Sequence, residues 1–192
     1  MKRAVFLVTL LIAFVMVASA QGLKIGENIE NFSMSDTSGT TRTLDDLKGK
    51  NGALIVFLSA QCPVVKGYVG RINELAADYK SKGITFIGVN SNHTESLDWV
   101  KSNVTEYSYQ FPVLIDKNNV FADKIGAKST PEVFYVSAQD KLIYHGAIDN
   151  DRSGSNVTEK YLRTAFDTAL AGKPIGKAST NAFGCSIKRV GD

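Results

Sequence analysis

Residues 53–59 read ALIVFLS, a run with no polar side chain before its last position. A short run that is apolar at every residue suits a strand buried on both faces, not one alternating between core and water. Such a strand needs a covering layer on each side of its sheet, which narrows the architecture to the α/β class. The next residues agree. Val65, Tyr68, Val69, Ile72, Leu75, Ala76 and Tyr79 recur at the spacing of one helical face, so a helix is expected from Pro63 to Lys82-Gly83. Pro63 suits the first helical position, where its missing N–H costs nothing, while Gly67 and Gly70 lower the propensity of the early turns. Ile84–Asn90, ITFIGVN, is a second buried run, and strand–helix–strand of this length implies a parallel pair.

The alternation continues. Leu97 to Val100 fits a short helix, Pro112–Asp116 (PVLID) a strand, and NNVFADKIG a helical turn or two closed by Gly126. EVFYVS and KLIYHGAI flank AQD, a connection short enough for an antiparallel hairpin. Thr158 to Leu170 reads as a last helix with Thr158 as N-cap and Tyr161, Leu162, Ala165, Phe166 and Ala169 inward. The expected order is β-α-β-α-β-(α)-β-β-α: a central mixed sheet, mostly parallel, finished by an antiparallel hairpin and covered by helices on both faces. After Gly172 the chain is richer in Gly, Ser, Thr and Lys and is expected to wrap over the surface.

The N-terminus reads as a leader. Lys2 and Arg3 precede an apolar stretch from Ala4 to Ala18, and Ala18-Ser19-Ala20 is a small-residue cleavage signal. The stretch is shorter than the roughly 20 residues a membrane helix needs. Gln21, not cysteine, follows, so no lipid attachment point is present there. The expectation is a signal peptide, residues 1–20, and one exported domain, residues 21–192, with no stable membrane span after cleavage. Losing Lys2 and Arg3 lowers the formal charge from +3 to about +1; nothing in that balance points to nucleic acid. Asn31, Asn92, Asn103 and Asn156 each begin an Asn-x-Ser/Thr acceptor pattern.

Only two cysteines occur, Cys62 and Cys185. In an oxidising compartment they can form one disulfide, although a domain this long folds without a staple. Cys62 falls where the buried strand hands over to the helix. There the unsatisfied N–H groups and the helix dipole favour thiolate over thiol, and thiolate is the form that attacks a disulfide or a peroxide. Lys66, one turn on, reads as a solvated lysine. A second signal is GAKSTPEVFYV, where a proline opens a strand although it cannot donate to a ladder. A cis Thr130–Pro131 bond would explain this and would let Thr130 offer backbone groups to an extended substrate; a trans proline on an edge strand is the alternative.

With ALIVFLSAQCPVVKGYVGRINELAADYKSKGITFIGVN and VLIDKNNVFADKIGAKSTPEVFYVSAQDKLIYHGAID in view, the chain resembles the thioredoxin fold. It is most similar to the redoxin branch, which holds peroxiredoxin-like and exported thiol-disulfide oxidoreductase domains. The closing AFGCSIK is similar to the tail of a redoxin-like subgroup with a lone cysteine before proline. The resemblance covers nearly all of the mature chain. It implies that Cys62 is the reactive position and that Pro131 is a cis-proline facing it. No cofactor or metal is expected.

Three departures qualify it. Thioredoxins proper carry Cys-x-x-Cys, and here Val65 holds the second place; they carry a buried acid where this chain has Val56. Peroxiredoxins carry Pro-x-x-x-Thr/Ser-x-x-Cys; Ser59 matches the hydroxyl, but Ile55 stands in place of the proline. Ser59 is thus expected to hydrogen-bond the thiolate or a peroxide. Cys185 is expected to replace the missing resolving thiol, with a permanent structural bridge as the other possibility. A copper site of the Cys-x-x-x-Cys kind is disfavoured because Lys66 occupies the second position, leaving His93 and His145 as ordinary residues. The expected partners are a protein or small-molecule disulfide or peroxide substrate and an unidentified thiol reductant. The competing reading is a non-catalytic binding module with a structural Cys62–Cys185 bridge.

Overall fold

The computed structural model describes residues 22–192; the expected signal peptide lies outside them. Its centre is β3 (Ala53–Leu58), α2 (Pro63–Lys80) and β4 (Thr85–Asn90), with β3 and β4 parallel in register from Ala53↔Thr85 to Leu58↔Asn90. All six residues of β3 are buried, as a fully apolar strand requires. Alternate side chains serve two cores. Leu54, Val56 and Leu58 face α2, α3 (Leu97–Glu106) and α5 (Tyr161–Leu170) through Val65, Tyr68, Ile72, Tyr79, Val100 and Phe166. Ala53, Ile55 and Phe57 face α1 (Leu44–Leu47) and α4 (Val120–Ile125) through Leu44, Phe121 and Ile125.

The seven-stranded sheet has the order β2-β1-β5-β4-β3-β7-β8. It is parallel only in the middle, β3–β4–β5 (Val113–Ile115). The expected hairpin is present: β7 (Glu132–Val136) runs antiparallel to β3 and to β8 (Leu142–Gly146). A hairpin not anticipated from sequence, β1 (Ser33–Asp36) with β2 (Thr41–Thr43), closes the other edge against β5. These strands are short and half-exposed, so they carry little hydrophobic periodicity.

Two helices differ from expectation. α3 runs on to Glu106, with Ser96 as N-cap accepting from the Trp99 amide. α5 begins at Tyr161, after Thr158. Thr158 is engaged instead with Asn150, whose amide donates to its Oγ at 2.7 Å while its Oδ1 accepts the Thr158 N–H at 3.0 Å. Of the acceptor-pattern asparagines, Asn92 and Asn103 are buried and Asn31 and Asn156 exposed. Among the described residues no helix is long and apolar enough to cross a membrane.

Candidate active site

Cys62 is the N-cap of α2, with extended backbone (φ −80°, ψ 114°) and Pro63 at the first helical position. No side chain caps the helix. Its first-turn N–H groups are thus free to stabilise negative charge at this end. Lys66 is exposed, as a solvated lysine should be, and the places of the missing motif residues, Val65 and Val56, are fully buried core.

The loop leading into Cys62 is held by an acid that sequence reasoning did not single out. Glu95, in the loop after β4, accepts the Ser59 hydroxyl at 2.5 Å, the Ala60 N–H at 2.9 Å, the Gln61 N–H at 3.0 Å and the Asn90 amide at 2.6 Å. The single proton of Ser59 is therefore directed at Glu95 and not at Cys62. Glu95 follows the carboxyl end of a parallel strand, the edge at which open α/β sheets build their sites; that placement is the signal by which it could have been found.

Opposite Cys62 stands the Thr130–Pro131 bond, and it is cis. The Cys62 Sγ lies 3.3 Å from the Thr130 carbonyl oxygen. Thr130 belongs to β6 (Ser129–Thr130), which pairs antiparallel with β9 (Cys185–Ser186), Thr130 opposite Cys185. Cys62 and Cys185 are joined as a disulfide, their Cα atoms 6.0 Å apart and 123 residues apart in sequence. Cys62 is 3 % exposed, whereas Cys185 is only partly buried.

The tail that carries Cys185 is anchored on both sides of the bridge. Before it, the Thr180 N–H donates to the His145 carbonyl at 3.0 Å, and Phe183 lies against Tyr68. After it, Ile187 is buried in the α1/α4 core, its N–H donating to the Lys128 carbonyl at 3.0 Å. The Lys188 N–H donates to Asn92 Oδ1 at 3.0 Å, and the Val190 N–H to Asn119 Oδ1 at 3.0 Å. Gly184 crosses Thr130 so closely that a Cβ there would overlap the Thr130 carbonyl.

Beneath β6 sits a second acid. Glu132 Oε2 accepts the N–H groups of Lys128 (2.7 Å) and Ser129 (2.8 Å), and Oε1 faces His145 Nε2 at 2.7 Å. Burial works against the charged carboxylate, but the hydrogen bonds from His145, Lys128 and Ser129 more than reverse this and hold its pKa below the ordinary 4.5. His145 itself stacks on Phe134, ring centroids 4.2 Å apart. A cleft near α2 and α5, lined by Arg71, Glu74, Asp149, Lys160 and Arg163, lies apart from the bridge. Arg71 is paired with Asp149 there, and Arg163 with Glu74 and Asp78.

The Redoxin family model matches residues 24–162. The chain belongs to the Redoxin family. The matched span holds Cys62, Ser59 and Thr130–Pro131 and ends before Cys185, so the bridge joins the Redoxin core to a tail outside it. The thiol-disulfide oxidoreductase ResA of Bacillus thuringiensis (strain Al Hakam) is 31% identical over 126 residues, 66% of this chain and 71% of that protein. A hypothetical protein from Sinorhizobium meliloti 1021 has a crystal structure 32% identical to this Redoxin chain, with TM-score 0.82 over 90% of this chain and 98% of that one. A putative thiol:disulfide interchange protein DsbE from Chlorobium tepidum shares the fold at TM-score 0.64 and 19% identity, covering 78% of this chain and 99% of that one. The chain is thus a thioredoxin-fold member of the thiol-disulfide oxidoreductases.

Proposed function

We propose that this chain is an exported enzyme that exchanges disulfides through Cys62 and Cys185. The Cys62 thiolate attacks one sulfur of a substrate disulfide; a Cys62–substrate bond forms and the other sulfur leaves as a thiolate with the electron pair. Cys185 thiolate then attacks Cys62 Sγ, closing the bridge and expelling the second substrate thiolate. The cysteine pair gives up two electrons and the substrate disulfide gains them; an external dithiol returns them. In that return step the reductant meets Cys185, the less buried sulfur. The leaving group is then the Cys62 thiolate at the helix N-terminus, where negative charge is favoured.

The observation that carries this reading is the pairing itself: the sole second thiol is delivered by β9 onto Cys62, beside the backbone edge of Thr130. Likeness to ResA supports a disulfide over a peroxide as the electrophile, and so does the engagement of Ser59 by Glu95. Lys2, Arg3, the apolar stretch and Ala18-Ser19-Ala20 support export, with cleavage after Ala20. Ser59 is assigned to holding the loop, and Thr130–Pro131 to the substrate-facing wall.

The anchoring of the tail favours a second reading, a non-catalytic scaffold with a permanent bridge. Mass-shift alkylation across a dithiothreitol or glutathione series separates the two. The exchange mechanism expects the pair to titrate at roughly −120 to −270 mV. A midpoint below about −300 mV overturns it in favour of the scaffold.

A further inference from the structure

We infer that residues 184–187 are a tethered copy of the substrate. The site takes an extended segment of the form Gly-Cys-x-aliphatic, and in the oxidised chain the tail occupies the place that segment needs. The inference rests on the exchange mechanism proposed above and adds to it the identity of what is recognised.

Three features of β9 define the pattern. Cys185 stands opposite Thr130 in an antiparallel pair, with its sulfur on Cys62. This is the arrangement a substrate cysteine must reach for its disulfide to be attacked. The residue before it can only be glycine, because any Cβ would run into the Thr130 carbonyl. The residue two after it, Ile187, is 1% exposed and sits between the sheet and the helices of the far core. Ser186, between them, is exposed and carries no selection. A slot that rejects a methyl group at one position and buries an aliphatic side chain at another is a specificity site, whichever chain fills it.

Competition follows from geometry. The tail is covalently continuous with the domain, so its local concentration at the slot is of millimolar order even when the bridge is open. An outside segment reacts with Cys62 only while β9 is off β6. Turnover is then an exchange of occupants: tail out and substrate in for the first attack, substrate out and tail in for the second.

The test uses the full mature chain with Cys185→Ser, which leaves Cys62 as the only thiol. Peptides of sequence AFGCSIK, their cysteine capped as a thiopyridyl disulfide, are mixed with it. Release of thiopyridone, as the Cys62–peptide disulfide forms, gives the rate. The matched peptide is expected to react about ten- to a hundredfold faster than a peptide carrying the Ile187→Ser change, the range a buried isoleucine supports. A peptide carrying Gly184→Ala should lose at least about tenfold. Placing Gly184→Ala or Ile187→Ser in the protein's own tail, on the Cys185→Ser background, weakens the competitor and should raise the matched peptide's rate by at least about tenfold. Equal rates for all three peptides overturn the inference, as does a tail substitution that leaves the matched rate unchanged. Dithiodipyridine serves as the reference. If it reacts while the peptides are not distinguished, the exchange mechanism stands and the template fails. If Cys62 is inert even to dithiodipyridine in the tail-substituted proteins, both fail.

Discussion

At the scale of single residues, two buried or half-buried acids hold the two walls of the site. Glu95 satisfies three groups of the Ser59–Gln61 loop and Asn90; removing it strands their donors. Glu95→Ala is expected to lower stability by about 2–3 kcal/mol in urea unfolding and to alter the rate at which Cys62 is alkylated in the reduced protein. Glu95→Gln should recover less than half of that, since an amide offers one acceptor atom where the carboxylate uses two. A full recovery would mean that shape, not hydrogen bonding, fixes the loop. Glu132 makes a pH-dependent contribution. Its folded pKa lies below the ordinary 4.5, so the unfolded chain binds its proton first. The stability it contributes is fully present above about pH 5 and is lost as pH falls through the folded value. Asp36 adds a loss of the same sign at lower pH. Burial raises its pKa, but the Ser38 hydroxyl, Arg42 and the Thr40 and Ser38 amides bring it down to about 2. Glu132→Gln should flatten the fall in urea midpoint below about pH 5, while leaving the Asp36 part in place; an unchanged slope would remove Glu132 from this role. Cys62 was legible in the sequence because a buried strand and a helix meet there. Pro131 was legible as a proline opening a strand, its cis bond expected from resemblance. Glu95 was not, because the loop groups that define it lie 34–36 residues away in the chain.

Among the elements, periodicity decided what could be read. The buried strands β3 and β4 and the helix α2 announce themselves through continuous or helical apolar patterns, and the β7–β8 hairpin through its short connection. β9 has two residues and β6 two, too few for any period, and their pairing exists only because the tail returns across the sheet. The expectation that the tail covers the surface was right in direction but missed its anchor, since one isoleucine in GCSIKRVGD carries no pattern. That anchor can be measured. Ile187→Ala on the Cys185→Ser background should cost about 2 kcal/mol of tail docking, so that Cys62 is alkylated about thirtyfold faster than in Cys185→Ser alone. If the rates match, β9 is held by its hydrogen bonds and not by the side chain.

For the whole molecule, the bridge and the double core make separate contributions. A closed loop spanning 123 residues stabilises by up to about 5 kcal/mol in the chain-entropy model, yet both cores close around β3 without the bridge itself. Reduced wild type is therefore expected to stay folded and cooperative in urea, with stability lower by several kcal/mol than the oxidised form. Loss of cooperativity on reduction would show instead that the tail organises the domain. The placement of the two sulfurs also bears on how the protein is made. Chains emerge from the ribosome amino end first, so Cys62, its helix and the Thr130 edge exist before any of β9 does. For that interval Cys62 has no partner in its own chain, and any disulfide it forms is with another molecule. Synthesis of β9 ends that interval.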